Sequence, residues 1–242
     1  MWWFKKLDQR YKKKEYIVLH NNMGVKLNMK IVAVMPIKLK NERCPGKNTK
    51  MLGDRPLLQY ELTTLKQTNM LDKIVVYCSD EKICEYLISG VEFIKRPREL
   101  DEPTSNFNQI FASFKEKVDA DIYVYAHATA PFVKLDTMME CIMAVKSGNY
   151  DSAFCAIKLQ DFLWQNGQPL NFDAENLPRT QDLTPIYQET SGVYVFTKEV
   201  FEKYRRRIGE KPYIKEISYK ETVDIDTPDD FKLAELFVKS EV

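Results

Sequence analysis

Residues 31–48 read IVAVMPIKLKNERCPGKN, and this stretch decides the fold. Residues 31–35 form an unbroken apolar run, the pattern of a strand covered on both faces, as in a parallel sheet. The loop that follows carries Lys38, Lys40, Arg43 and Lys47, with Pro36 and Pro45 inside it. Such a loop lies at the carboxyl end of the sheet, where open α/β folds bind ligands. Four cations there suit a polyanion such as a triphosphate, although a plain solvated basic loop carries the same charge.

Further along the chain, apolar runs alternate with helical spacing. PLLQYELTTLKQ (56–67) predicts a helix with Pro56 in its first turn. KIVVYCS (73–79) predicts a buried strand, DEKICEYLIS (80–89) a helix capped by Asp80, and VEFIKR (91–96) a short strand. A helix over 106–118 carries Phe107, Ile110, Phe111 and Phe114 on one face. DIYVYA (121–126) and SAFCAIKL (152–159) read as strands on either side of a helix over 136–147. SGVYVF (191–196), a helix near 198–206 and a strand–helix pair in TVDIDTPDDFKLAELF end the pattern. Beta–alpha units in series predict an α/β fold, a mostly parallel twisted sheet with helices on both faces. Residues 160–190 break the rhythm, and an irregular segment of that length inside a domain calls for a function or a partner.

With 242 residues the chain fits one α/β domain. Its 36 Lys+Arg against 35 Asp+Glu argue for no general nucleic-acid or membrane partner. Five cysteines without a CxxC pair fit reduced thiols in a cytoplasmic enzyme, not a disulfide framework or zinc site. No apolar run approaches the ~20 residues of a transmembrane segment. Residues 1–29 stand apart: basic and aromatic, without the apolar core or cleavage site of a secretory signal. An extra helix or arm, a disordered tail, an upstream start and a membrane-surface contact through Trp2 and Trp3 all stay open.

Asp224 and Asp226 flank Ile225, so on a strand both carboxylates share a face. Two such oxygen donors suit Mg²⁺, which takes one or two carboxylates plus substrate phosphates; a structural turn is the plain alternative. Thr227-Pro228-Asp229-Asp230 reads as a helix start and needs no catalytic role.

Pro36, Lys38, Asn41, Arg43, Pro45, Gly46, Lys47 and Asn48 resemble the nucleotide-binding signature of the cytidylyltransferases that activate acidic sugars, making CMP-sialic acid, CMP-Kdo and related compounds. HATAPF (127–132), RTQDLTPIYQETSGVYVF (179–196) and DIDTPDD (224–230) resemble three further blocks of that family in the same order. The resemblance covers most of residues 30–238 and implies a Rossmann-like nucleotide-diphospho-sugar transferase fold over 30–242. It also implies a protruding arm at 159–190 that reaches a second subunit of a homodimer. The implied reaction is attack by a sugar hydroxyl on the α-phosphate of CTP, expelling pyrophosphate, with Mg²⁺ as cofactor. Lys38, Arg43 and Lys47 are then the catalytic cations. Pro36, Asn41, Ser105 and Thr129 join them around the nucleotide. His127, Arg179, Gln181, Tyr187 and Glu189 fall on the acceptor-sugar side, and Asp224 and Asp226 at the metal.

Some residues depart from that pattern. Lys38-Leu39-Lys40-Asn41-Glu42 stands where sialic-acid members have Arg-Gly-Gly-Ser-Lys, which removes two glycines that let amides approach phosphate. His127 replaces a usual glutamine, and Thr190-Ser191 replace Asn-Gly. Two alternatives therefore stay beside the first reading. One is a nucleotidyltransferase using another NTP or a non-acidic sugar phosphate. The other is a catalytically silent homologue that binds nucleotide or a partner enzyme.

Overall fold

The computed structural model describes residues 29–240, so the readings of the N-terminal extension lie outside the described residues, Met29 excepted. Strand β1 (Ile31–Ile37) leads into the basic loop and a small hairpin, β2 (Met51–Leu52) and β3 (Arg55–Pro56). Then follow α1 (Leu57–Gln67), β4 (Lys73–Cys78), β5 (Glu92–Lys95), α2 (Phe107–Lys115), β6 (Ile122–Ala126) and α3 (Leu135–Lys146). Strand β7 (Ser152–Leu159) enters a second small hairpin, β8 (Trp164–Gln165) and β9 (Gln168–Pro169). The chain closes through β10 (Ile186–Thr197), α4 (Lys198–Tyr204), β11 (Pro212–Glu216) and α5 (Pro228–Lys239).

Seven strands form one sheet in the order β11-β7-β10-β6-β1-β4-β5. Strand β1 lies parallel to both β4 and β6, and β10 alone runs antiparallel to its neighbours. Both faces are covered, as the apolar run of β1 requires. On one face Ala33 and Met35 pack with Leu58 and Leu62 of α1 and Met138 and Ile142 of α3. On the other, Val32 and Val34 share a cluster with Phe111 and Phe114 of α2 and Phe201 of α4. A third cluster joins Cys44, Leu52 and Leu57 to Ile225, Phe231 and Ala234. This cluster holds the basic loop against the start of α5, and so brings residues 43–47 to residues 224–226.

The helix expected at 80–89 is a 3₁₀ turn over Glu81–Tyr86, with Asp80 accepting from the Lys82 amide at 3.0 Å. Its expected helical face is interrupted because only Ile83 is buried. Pro56 caps α1 instead of entering its first turn. The strand expected at 222–226 does not form: Ile225 makes a single backbone bond to the Thr129 carbonyl at 2.8 Å, with no ladder. The edge place is taken by β11, whose half-polar sequence PYIKE hides it from a search for apolar runs. Strand β10 starts at Ile186, five residues before the apolar stretch, and its register shifts between Glu189 and Tyr194.

Candidate active site

The basic loop is folded back by Gly46, whose φ of 67° lies in the left-handed region that glycine enters without strain. The turn starts a short 3₁₀ helix, Lys47–Thr49, and buries Lys47 to 8% exposure. A buried ammonium needs fixed acceptors. Lys47 Nζ finds the Ile225 carbonyl at 2.6 Å and Asp226 Oδ1 at 2.8 Å. Arg43 Nη2 donates to the other oxygen, Asp226 Oδ2, at 2.9 Å. Asn48 Nδ2 donates to the Lys38 carbonyl at 3.0 Å, fastening the strand end to the loop. On the far side of Asp226, α5 begins with a capping box between Thr227 and Asp230, and Asp230 also accepts from the Asp226 amide at 3.1 Å.

Asp224 sits differently. Its Oδ2 accepts from Ser191 Oγ at 2.5 Å, and its Oδ1 is buried without a hydrogen-bond partner. Ile225 between the two acids is fully buried, but without a ladder the two carboxylates do not share a face. Each acid lines a separate cleft. Asp226 shares one of about 260 Å³ with Lys38, Asn41, Arg43 and Lys47. That cleft adjoins a larger one of about 630 Å³, which also includes Lys38 and Asn41 and extends to Ser79, Asp80 and Arg98. Asp224 lines a cleft of about 320 Å³ with Glu189, Thr190, Ser191 and Tyr219. The turn 224–226 is the partition between a cation-rich side and an acidic, hydroxyl-rich side.

Of the residues expected around a nucleotide, Lys38, Asn41, Arg43 and Lys47 converge on the cation-rich cleft beside Asp226, and Lys38 and Asn41 also line the larger one. Asn41 Oδ1 there is a buried acceptor without a partner. Pro36 is part of β1, in register with Tyr77. Thr129 acts through its carbonyl, which holds Ile225. Ser105 donates to the Glu99 carbonyl at 3.3 Å, while its neighbours Glu102 and Pro103 line the large cleft.

On the acceptor side the structure brings fewer of the expected residues together. Glu189 lines the cleft beside Asp224. His127 follows β6, its ring against Tyr125 and Tyr194 and its Nε2 buried without a partner. Burial lowers its pKa to about 4, with Arg207 adding to the shift and Asp224 and Asp226 opposing it. Tyr187 is exposed on β10. Arg179 lies on the exposed arm, paired with Asp182 at 2.7 Å, and Gln181 offers its carbonyl to Gln160 at 3.3 Å. Neither lines the cleft.

Three groups escaped the sequence reading. Ser191 is one, because a serine that orients a carboxylate 33 residues away carries no local pattern. Buried Arg96, bonded to Asp101, which also accepts from Ser79 at the edge of the large cleft, is a second. Arg207, bonded to Glu189, is the third. An apolar-to-charged switch after KIVVYCS was the one sequence signal available, and it pointed at a helix cap instead.

The pair Asp224 and Asp226 fits a divalent cation in chemistry. Asp224 Oδ1 is buried and unpartnered, whereas both oxygens of Asp226 accept from Arg43 and Lys47, which a bound cation would share or displace. Among the described residues no three His, Cys, Asp or Glu side chains form a metal cluster, and Mg²⁺ needs only one or two carboxylates when phosphates complete its shell.

Comparison with known proteins bears on the family of the whole chain. A family model described as cytidylyltransferase matches residues 32–241. The chain is 26% identical over 224 residues to a CMP-N,N'-diacetyllegionaminic acid synthase of Legionella pneumophila, covering 86% of this chain and 95% of that protein. It is 25% identical over 201 residues to the N-acylneuraminate cytidylyltransferase A of Danio rerio, covering 79% of this chain and 46% of that one. The chain thus spans about half the length of the zebrafish protein and of a similar Escherichia coli N-acylneuraminate cytidylyltransferase. Among solved structures, a CMP:2-keto-3-deoxy-manno-octonic acid synthetase complexed with CTP shares the fold. Its TM-score is 0.68 at 16% identity, over 88% of this chain and all of that one. The match runs from β1 through α5 and takes in both the basic loop and the acidic turn: this chain belongs to the cytidylyltransferase family.

Proposed function

We propose that the protein transfers CMP from CTP to an acidic sugar, a nonulosonate or Kdo, releasing pyrophosphate for surface-glycan synthesis. The observation that carries this reading is the partition formed by residues 224–226, with cations on one side and a hydroxyl-lined cleft on the other. In-line transfer at phosphorus asks for positioning and charge neutralisation more than covalent chemistry. The triphosphate lies on the side of Lys38, Arg43 and Lys47, which neutralise it and the leaving pyrophosphate. The acceptor hydroxyl approaches from the side of Ser191 and Asp224. Asp224 and Asp226 would hold Mg²⁺, which supplies charge neutralisation at the reacting phosphate. We place the enzyme in the cytoplasm as a homodimer, with residues 159–190 as the contact to the second subunit. The relatives' names support an acid-sugar acceptor, because they span sialic, legionaminic and deoxy-octulosonic acids.

The test is pyrophosphate release with Mg²⁺ across four nucleotides and four acids: N-acetylneuraminate, a legionaminate, a pseudaminate and Kdo. Release with CTP and one acid is the expected result. Release with ATP, GTP or UTP instead would transfer the reading to another nucleotide. Bound CTP without release would favour a silent homologue.

A further inference from the structure

The two adjoining clefts differ in what they can hold. The smaller has Arg43, Lys47 and Asp226 to itself and suits phosphate, while Lys38, Lys40, Asn41, Glu42 and Pro103 line both. The far end of the larger one, away from the phosphate side, is lined by Leu39, Ser79, Asp80, Arg98, Asp101 and Glu102. With the triphosphate at Lys47, that end is where the nucleoside base falls. A pyrimidine brings an apolar ring face and a polar edge. Leu39, packed on the core cluster beneath α1, supplies an apolar wall for the face.

We propose that Asp101 reads the polar edge, accepting a hydrogen bond from the 4-amine of cytosine. This inference rests on the CTP reading above. Asp101 ends a short 3₁₀ turn, Arg98–Asp101, that follows β5. Two donors fix its carboxylate from behind, each directly after a central or edge strand. Arg96, after β5, is 3% exposed, and its Nη2 donates to Asp101 Oδ1; a buried guanidinium needs such a charged acceptor. Ser79, after β4, donates through Oγ to Asp101 Oδ2. Each oxygen has thus taken one donor, and a carboxylate has about four acceptor sites, so each oxygen keeps capacity for a ligand. The side chain lines the cleft and is 28% exposed, so that capacity is open to it. Its neighbours are less suited. Asp80 caps the next 3₁₀ turn through the Lys82 amide at 3.0 Å, and Arg98 and Glu102 are exposed. A held acceptor discriminates between edges, because it cannot swing away from a wrong partner. Cytosine presents a donating amine where uracil presents an accepting oxygen. Uracil would therefore set acceptor against carboxylate. Asp101 is a specificity residue: it selects CTP over UTP.

The experiment measures binding of three triphosphates by calorimetry with Mg²⁺: CTP, UTP and the pyrimidin-2-one analogue, which has only hydrogen at the 4-position. Wild type should bind CTP most tightly, the analogue next and UTP least, with CTP ahead of UTP by about a hundredfold or more. Asp101→Asn keeps an acceptor for Arg96 and turns the other side-chain atom into a donor. It should lose affinity for CTP, gain affinity for UTP and bring the two within about tenfold, with the analogue unchanged. Asp101→Ala should bind CTP no better than the analogue. Equal losses for all three nucleotides in the variants, or an unchanged ratio of CTP to UTP, would overturn the assignment. A wild type that binds the analogue as tightly as CTP would overturn it without any variant. In each of these cases pyrophosphate release from CTP by the same wild type leaves the cytidylyltransferase reading standing. A wild type that binds no CTP would overturn both that reading and this inference.

Discussion

Lys47 Nζ lies 2.8 Å from Asp226 Oδ1, across 179 residues of sequence, and this pair joins the first loop of the fold to its last helix. The contact is possible because the Cys44–Leu57–Phe231 cluster presses the two segments together. Lys47 is buried while the Asp226 side chain is 38% exposed, so the lysine is the member that depends on the pair. Lys47→Met should destabilise the protein by about 1.5–3 kcal/mol, the usual worth of hydrogen bonds to a charged group. It should also weaken CTP binding by more than tenfold, read by calorimetry. Unchanged CTP affinity in a folded variant would make Lys47 a structural cation only.

Glu61 is a second buried charge site, without the compensation Lys47 has. It lies on α1, fully buried, and neither carboxylate oxygen has a partner. Burial raises its pKa well above the usual value, so the native state keeps the proton that the unfolded chain releases above about pH 4.5. The native state therefore binds more protons, and Glu61 makes stability fall as pH rises above that value. Glu61→Met should stabilise the protein at pH 7–8 by about 1–3 kcal/mol and flatten that slope, as urea midpoints at several pH values would measure. A variant less stable than wild type at pH 8 would contradict this.

His127 has the opposite sign. Burial lowers its folded pKa to about 4 from 6.5, so between those values the unfolded chain binds the extra proton and stability drops as pH falls. The loss is about 3.5 kcal/mol at most, from the ~1.4 kcal/mol that each pKa unit represents. His127→Gln should abolish this part of the acid slope, seen in the same urea series. An unchanged slope would place the proton uptake elsewhere.

The arm presents Trp164 at 60% exposure and Leu177 at 65%, with Phe162 and Trp164 both packed on Phe172. A small aromatic cluster held in place beside exposed apolar side chains suits burial against a second copy. Trp164→Ser with Leu177→Ser should shift the sedimentation of the protein from dimer to monomer without loss of secondary structure. A wild type that sediments as a monomer at micromolar concentration would remove the arm from the interface.

What sequence reading could reach follows from range. The β1 run and its loop were legible because burial on both faces leaves an unbroken apolar string, and because the loop's cations are local. The start of α5 was legible because a capping box is four residues long. The edge strand β11 was not, since PYIKE is largely half-exposed and offers neither an apolar run nor a clean alternation. Asp224 and Asp226 were found, but their separation into two clefts was not. That division depends on Ser191, Arg43 and Lys47, partners brought in by tertiary packing. Arg179 does not line the cleft and pairs on the surface with Asp182, three residues away.

The central claim is that the turn 224–226 joins nucleotide and acceptor in one reaction, and one comparison tests it most directly. Pyrophosphate release from CTP with the preferred acid and Mg²⁺ should be measured in wild type and in Asp224→Ala, with CTP affinity determined for both. The account predicts a loss of turnover by at least a hundredfold in Asp224→Ala, a barrier change of about 3 kcal/mol or more, with CTP still bound. Turnover within a few-fold of wild type would contradict it.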